Sequence, residues 1–110
     1  ARNGQPNPYD MAVYVANWPE TRAAAWRTLL QARAIENQCY VVGINRSGTD
    51  GNGHRYSGDS LMVDFAGTVL SDAGNNGIPQ VLKASASKTA LDGFRTRLPF
   101  LDDADSFALD

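Results

Sequence analysis

Hydrophobic positions along this chain fall into short blocks that polar, glycine-rich segments separate. The first block, Tyr9 to Ala16, is an almost unbroken apolar run, which is typical of a strand with both faces buried. Pro19 can open a helix, because the first turn does not need its missing N–H. We therefore predict a helix from about residue 20 to about 37, whose apolar stripe consists of Ala23, Trp26, Leu30 and Ala34.

The remaining blocks predict several strands and a second helix. The predicted strands lie at 40–45, 60–65, 68–71 and 78–86, and the helix lies at 88–98. Ala66-Gly67 indicates a tight hairpin between the second and third of these strands, and the glycine-rich segment 47–58 indicates a long polar loop. Pro79 favours an edge or strand-initial position for 78–86.

The predicted order is strand, helix, strand, hairpin, strand, helix and tail, which is typical of an α/β fold. Such a sheet and its helices cannot cover each other completely, so we expect an upstream half or a partner chain to add another layer. The acidic tail, residues 100–110, carries the apolar residues Phe100, Leu101, Phe107 and Leu109. Burying each aromatic ring could stabilise the fold by roughly 1.5–3 kcal/mol, so we expect the tail to pack rather than stay free.

Composition narrows the class of protein. A length of 110 residues and a hydrophobic content of 43% are sufficient for one domain with one core. The net charge of −2, without any run of Lys or Arg, argues against nucleic-acid binding. No apolar stretch reaches the length of a membrane span. A single Cys excludes an internal disulfide and favours a cytoplasmic location.

Cys39 and His54 are the obvious candidates for chemistry, and we assign neither to a site. Cys39 lies where a helix ends and an apolar strand begins, so the helix dipole disfavours its thiolate and a buried packing role is expected. His54 is the only His, which is poor support for a metal site. The segment Asp50-Gly51-Asn52-Gly53 lacks the later acidic ligand of a calcium loop. We predict no catalytic residue, metal or cofactor site within this chain.

Two polar groups permit either a structural or a functional interpretation. Arg33 and Glu36 are three positions apart on the predicted helix, where they can form an ion pair or contribute to the wall of an active site. Gly58-Asp59-Ser60 is typical of a strand start with a satisfied hydroxyl. The absence of a Gly-x-Ser-x-Gly elbow around Ser60 excludes the serine-hydrolase interpretation.

Asn17 and Trp18 are the candidate substrate-binding residues. They directly follow the first buried strand, and ligands bind beyond the carboxyl ends of strands in α/β sheets. A polar amide and a flat ring at that edge can orient a small substrate. Alternatively, Asn17 caps the following helix and Trp18 packs against its first turn. The residues alone leave both interpretations open.

Several motifs, taken in order, resemble the carbon–nitrogen hydrolase (nitrilase) superfamily and its bacterial omega-amidase-like branch. The motifs are Asn17-Trp18-Pro19, Arg33-Ala34-Ile35-Glu36-Asn37-Gln38 before a valine-rich strand, Gly58-Asp59-Ser60, and Arg97-Leu98-Pro99-Phe100 before the tail. The resemblance implies an α-β-β-α sandwich with a mixed sheet, two helices and a C-terminal tail. It also implies that residues 1–110 form the C-terminal part of a single domain.

The resemblance implies a mechanism whose catalytic residues lie outside this chain. In this family a Cys thiolate attacks the amide carbonyl, a Glu acts as general base and acid, and a Lys stabilises the oxyanion. By resemblance all three precede residue 1, so the chain alone is expected to be inactive. The expected intact enzyme is a homodimer that hydrolyses a small omega-amide, with Asn17 and, less directly, Trp18 in its pocket. The alternative is a non-catalytic α/β binding or scaffold module.

Overall fold

The structure, a computed structural model, describes residues 9–99 and shows a mixed α/β fold there. The strands are β1 (Met11–Ala16), β2 (Tyr40–Asn45), β3 (Ser47–Thr49), β4 (Arg55–Ser57), β5 (Leu61–Val63) and β6 (Val69–Asp72). The helices are α1 (Ala23–Asn37), which follows a 3-10 turn at Glu20–Arg22, and α2 (Lys88–Arg97). The predicted fold class, with two helices and a mixed sheet, is confirmed.

The main sheet has the strand order β1-β2-β5-β6. β1 and β2 run parallel, with α1 as the crossover between them, and their register pairs Met11 with Tyr40 and Ala16 with Asn45. The pairs β2–β5 and β5–β6 are antiparallel. Because the two parallel strands end in register, the segment after Ala16 lies beside Asn45 at one edge of the sheet.

The core lies between α1 and one face of this sheet. Buried residues of the helix pack with buried residues of the strands; they are Trp26, Leu30, Ala34, Cys39, Val41, Leu61 and Val63. Gln38 ends α1 in the left-handed conformation with a φ of 45°, and Cys39 donates its backbone N–H to Ala34 O over 3.2 Å. The helix therefore passes into β2 almost without a loop, as the sequence predicted.

The expectation that both faces of β1 are buried is wrong for this chain. Ala12 and Ala16 pack against the core under α1. Val13 and Val15 alternate to the opposite face, where they are 57% and 77% exposed. The apolar run is present because both faces are hydrophobic, but the described residues cover only one of them.

Two other segments differ from the prediction. The segment 47–58 contains a hairpin, because β3 pairs with β4 in antiparallel register. Asp50 builds its turn by accepting hydrogen bonds from the backbone N–H groups of Asn52 and His54. The strand predicted at 78–86 is wrong, since this segment is irregular and Val81 is 88% exposed. A short apolar segment does not make a strand without a neighbouring strand to pair with.

Helix α2 is confirmed and is bonded to the end of α1, chiefly through the buried side chain of Arg95. Ser87 caps α2 by accepting a hydrogen bond from Ala90 N over 3.0 Å. The buried guanidinium of Arg95 donates to Gln38 O over 3.0 Å, to Tyr9 O over 2.8 Å and to the Asp10 carboxylate over 2.8 Å. The predicted packing of the tail concerns residues 100–110, which lie outside the described residues.

We predict that Gly43→Ala destabilises the full-length protein by about 1–3 kcal/mol. Gly43 lies directly under α1, and an added Cβ would overlap Leu30 Cδ1 and lie 2.9 Å from Trp26 Cζ2. Urea denaturation measures the change. Gly51→Ala is the matched control, because an added Cβ there meets nothing within 4 Å, and a change within about 0.5 kcal/mol is expected. Equal effects of the two substitutions would contradict this packing of α1 on β2.

Candidate functional site

The candidate site lies at the carboxyl edge of the two parallel strands. β1 ends at Ala16 opposite Asn45, the last residue of β2, and Asn17 and Trp18 follow directly. This is the edge at which ligands bind in α/β sheets. The structure therefore places both sequence-predicted residues at such an edge, and it adds Asn45.

The Asn45 side chain holds the backbone that leaves β1. Its Oδ1 accepts a hydrogen bond from Trp18 N over 2.7 Å, and its Nδ2 donates to Trp18 O over 2.9 Å and to Gly58 O over 2.8 Å. The reciprocal pair with Trp18 imitates the exchange of hydrogen bonds between paired strands. One side chain thus joins the ends of β1 and β2 to the turn before β5.

Ser60 fixes the backbone of Asn45 in turn. Its Oγ accepts from Asn45 N over 2.9 Å and donates to Asn45 O over 3.3 Å. The interpretation of Ser60 as a residue with a satisfied hydroxyl at a strand start is confirmed. Its hydroxyl is engaged with backbone groups, in keeping with the exclusion of a serine nucleophile.

Asp59 anchors the same turn beneath the site. It is buried in the left-handed conformation, with a φ of 58°, and its carbonyl accepts a hydrogen bond from Trp26 Nε1 over 2.8 Å. Its carboxylate accepts from the Ser57 hydroxyl and lies 3.5 Å from Arg27 Nη1. The same Arg27 guanidinium donates a hydrogen bond to the carboxylate of Asp72 in β6, and this bond lowers the pKa of Asp72. These contacts give Gly58-Asp59-Ser60 a structural role under the edge.

Asn17 does not cap the helix. The residue before the 3-10 turn is Pro19 and the residue before α1 is Arg22, and neither position has a side-chain cap. Asn17 is exposed, and its amide makes no hydrogen bond to any part of the chain that the structure describes. The capping alternative is therefore wrong, and the Asn17 amide is available to a ligand.

Trp18 packs against the start of the helix, as the alternative interpretation proposed. Its ring centroid lies 5.6 Å from that of Trp26, and the Arg22 guanidinium lies 5.1 Å from the Trp18 ring. Its Nε1 donates to Arg22 O over 2.6 Å. These contacts fix the Trp18 ring against the start of the helix, next to Asn17 in the chain.

Cys39 is unsuited to nucleophilic chemistry. It is 1% exposed, and burial raises the pKa of its thiol to about 11. It also precedes β2, whereas the candidate site lies beyond the other end of that strand. Arg33 and Glu36 form the expected ion pair, with Nη1 and Oε1 2.7 Å apart. Their alternative role in an active-site wall stays a prediction.

The polar loop around His54 is organised by its own side chains. Besides its contacts to the turn backbone, Asp50 accepts a hydrogen bond from the Tyr56 hydroxyl over 2.9 Å. His54 is exposed, and residues 9–99 contain no group of three or more His, Cys, Asp or Glu side chains placed to hold a metal ion. Among the same residues, neither helix is both long and apolar enough to cross a bilayer.

Known proteins are similar to this chain both in sequence and in architecture. An omega-amidase from Yersinia enterocolitica is 49% identical over 109 residues, which are 99% of this chain and 41% of that protein. A 2-oxoglutaramate amidase from Bacillus subtilis is 35% identical over 88 residues, 80% of this chain and 33% of that protein. A carbon–nitrogen hydrolase superfamily protein of known structure, from Xanthomonas campestris, superposes on this chain with a TM-score of 0.82 at 44% identity. The match covers 93% of this chain and 38% of the Xanthomonas chain.

These matches confirm the predicted resemblance and set its extent. The chain spans about two fifths of the length of the omega-amidase that it matches. The structural agreement with the Xanthomonas protein also confirms the nitrilase-like fold. The family model for carbon–nitrogen hydrolases matches residues 8–87, which include β1, α1, β2 and the Gly58-Asp59-Ser60 turn. The chain belongs to the carbon–nitrogen hydrolase family.

Proposed function

We propose that the protein is an amidase that hydrolyses a small omega-amide, a dicarboxylate monoamide, to the acid and ammonia through a Cys thioester. This chain forms the C-terminal portion of its domain. The observation that carries the proposal is the 49% identity to an omega-amidase along 99% of this chain. The relative named as a 2-oxoglutaramate amidase supports the same substrate class.

In this proposal the chain contributes substrate recognition rather than the nucleophile. By the family resemblance, the thiolate, the general base and the oxyanion-stabilising Lys come from the rest of the protein. Cys39 is no alternative nucleophile, because it is buried at the wrong end of β2. A dicarboxylate monoamide presents a carboxylate and an amide. The free Asn17 amide can donate to either group and can also accept from the substrate NH2, so it suits both ends of such a molecule.

The open face of the sheet supports a larger assembly. Val13, Val15 and Ile44 are apolar residues of β1 and β2 that are 47% or more exposed. Apolar strands of α/β sheets are normally covered on both faces. We propose that the N-terminal half of the same cytoplasmic enzyme covers this face and that two such enzymes form a homodimer. The comparisons with named amidases support an enzyme rather than a non-catalytic scaffold module.

We predict that the full-length protein releases ammonia from 2-oxoglutaramate or succinamate, and that alkylation of its thiols abolishes this release. The physical reason is that the thioester route requires an ionised Cys. The isolated 110-residue chain is the control, and it should show no release above background. A full-length protein that cleaves only nitriles or carbamoyl amines would contradict the proposed substrate class.

We predict that Cys39 is not the thiol on which this activity depends. At pH 8, a thiol with a pKa of about 11 is ionised in roughly one molecule in a thousand. Iodoacetamide should therefore leave Cys39 unmodified in the native protein and modify it after denaturation, as peptide mass spectrometry can measure. Cys39→Ala should retain ammonia release. Loss of turnover in the folded Cys39→Ala variant would sink this assignment.

We predict that Asn17→Ala lowers kcat/KM of the full-length protein by more than about tenfold, or 1.4 kcal/mol of transition-state stabilisation. Stability should change by less than about 0.5 kcal/mol, because the Asn17 amide makes no bond within residues 9–99. Steady-state kinetics and urea denaturation measure the two effects. Asn75→Ala, in an exposed turn, is the matched control. Normal kinetics with reduced stability would argue for a purely structural Asn17.

A further inference from the structure

We propose that Asn45 is a positioning residue for substrate recognition, acting through the backbone of Trp18 to hold Asn17 at the edge of the sheet. The inference rests on the proposed substrate contact of Asn17. It assigns a role to a residue that is not itself placed against the substrate. Its basis is the set of hydrogen bonds on either side of Asn17.

Asn17 is bracketed by two attachments to the end of β2. Before it, Ala16 O accepts a hydrogen bond from Arg46 N over 3.4 Å, which is a long contact at the end of the strand pairing. After it, both backbone polar groups of Trp18 bind the Asn45 side chain, over 2.7 Å and 2.9 Å. The second attachment is the shorter and the reciprocal one. It therefore determines where the peptide that carries Asn17 lies.

Asn45 has little freedom to move away from Trp18. Ser60 holds its backbone N–H and C=O, and Gly58 O accepts a hydrogen bond from the same Nδ2 that serves Trp18. A primary amide has two N–H donors and one carbonyl acceptor, and all three functions are used here. An Asp carboxylate at this position keeps the acceptor but loses both donors, and a Ser hydroxyl is too short to span the gap.

Precise placement matters because a misplacement of about 1 Å in a reacting group can lower a rate by about 100-fold. Without Asn45, the backbone that flanks Asn17 is attached to β2 only by the long contact of Ala16 O with Arg46 N. Its amide then samples a wider volume, and the ordering must occur when substrate binds. The consequence reaches catalysis through Asn17, because the Trp18 ring keeps its own contacts to Trp26 and to Arg22 O.

A double-mutant cycle in the full-length protein tests the inference, with succinamate as substrate. Asn45→Ser should lower kcat/KM about tenfold in the native background, but less than about twofold in the Asn17→Ala background, because the contact that it positions is already lost. Asn45→Asp, which retains the bond from Trp18 N, serves in the same cycle if Asn45→Ser does not fold. Suppose that Asn17→Ala is impaired and that the free-energy losses of the two substitutions simply add. The positioning role of Asn45 would then be overturned, while the substrate contact of Asn17 would stand.

Hydrogen exchange gives a readout that does not depend on turnover. The backbone N–H of Trp18 donates to Asn45 Oδ1, so the hydrogen exchange of this N–H should become about tenfold or more faster in Asn45→Ser. Tyr40→Phe is the matched control, because it removes bonds to Ser87 at the opposite end of β2. It should leave both the Trp18 exchange and kcat/KM within about twofold of the wild type. Unchanged Trp18 exchange in Asn45→Ser would overturn the positioning role.

The failure of the proposed function is distinguishable from the failure of the positioning role. Absence of ammonia release from the wild-type protein would reject the amidase, whereas normal turnover by Asn17→Ala would reject only its substrate contact. Either result removes the functional consequence of Asn45 and overturns the inference as stated. Non-additive kinetics together with faster Trp18 exchange would support it.

Discussion

The reciprocal pair of hydrogen bonds between the Asn45 amide and the Trp18 backbone is the contact on which the edge of this sheet depends. Regular pairing between β1 and β2 ends at Ala16 and Asn45. Beyond that point the chain must turn out of the sheet and enter α1, and a polar side chain replaces the strand that would have continued the pairing. Because Asn45 also binds Gly58 O, the same contact locates the turn that leads to β5.

The core supports this edge from below. Trp26 of α1 packs in the core and uses its Nε1 to bind Asp59 O, so the helix that follows Trp18 is bonded back to the turn beside Asn45. Gly43 allows α1 to approach β2 closely, since any side chain there would overlap Leu30. Hydrophobic packing and a small set of hydrogen bonds thus fix the same three segments, namely the end of β1, the end of β2 and the turn before β5.

Much of this arrangement was predictable from local patterns. The stripe that includes Trp26, Leu30 and Ala34 predicts the buried face of α1, because helical spacing brings these residues to one side. The β3–β4 hairpin was not predicted, since polar contacts of Asp50 rather than apolar alternation build its turn. The strand predicted at 78–86 failed because its apolar residues have no strand partner in the described fold. Asn17 and Trp18 could be predicted as candidate site residues because they directly follow a strand. Asn45 could not, because its position beside them depends on the parallel register of β1 and β2.

A crystal structure of the full-length protein with its nucleophile inactivated and succinamate bound tests the central claim most directly. That claim is that the edge held by Asn45 presents Asn17 to the substrate. The expected result is an Asn17 side-chain atom within about 3.2 Å of the substrate carboxylate or amide, with Asn45 still paired to Trp18. A substrate bound without contact to Asn17, or an Asn45 side chain turned away from Trp18, would contradict the account.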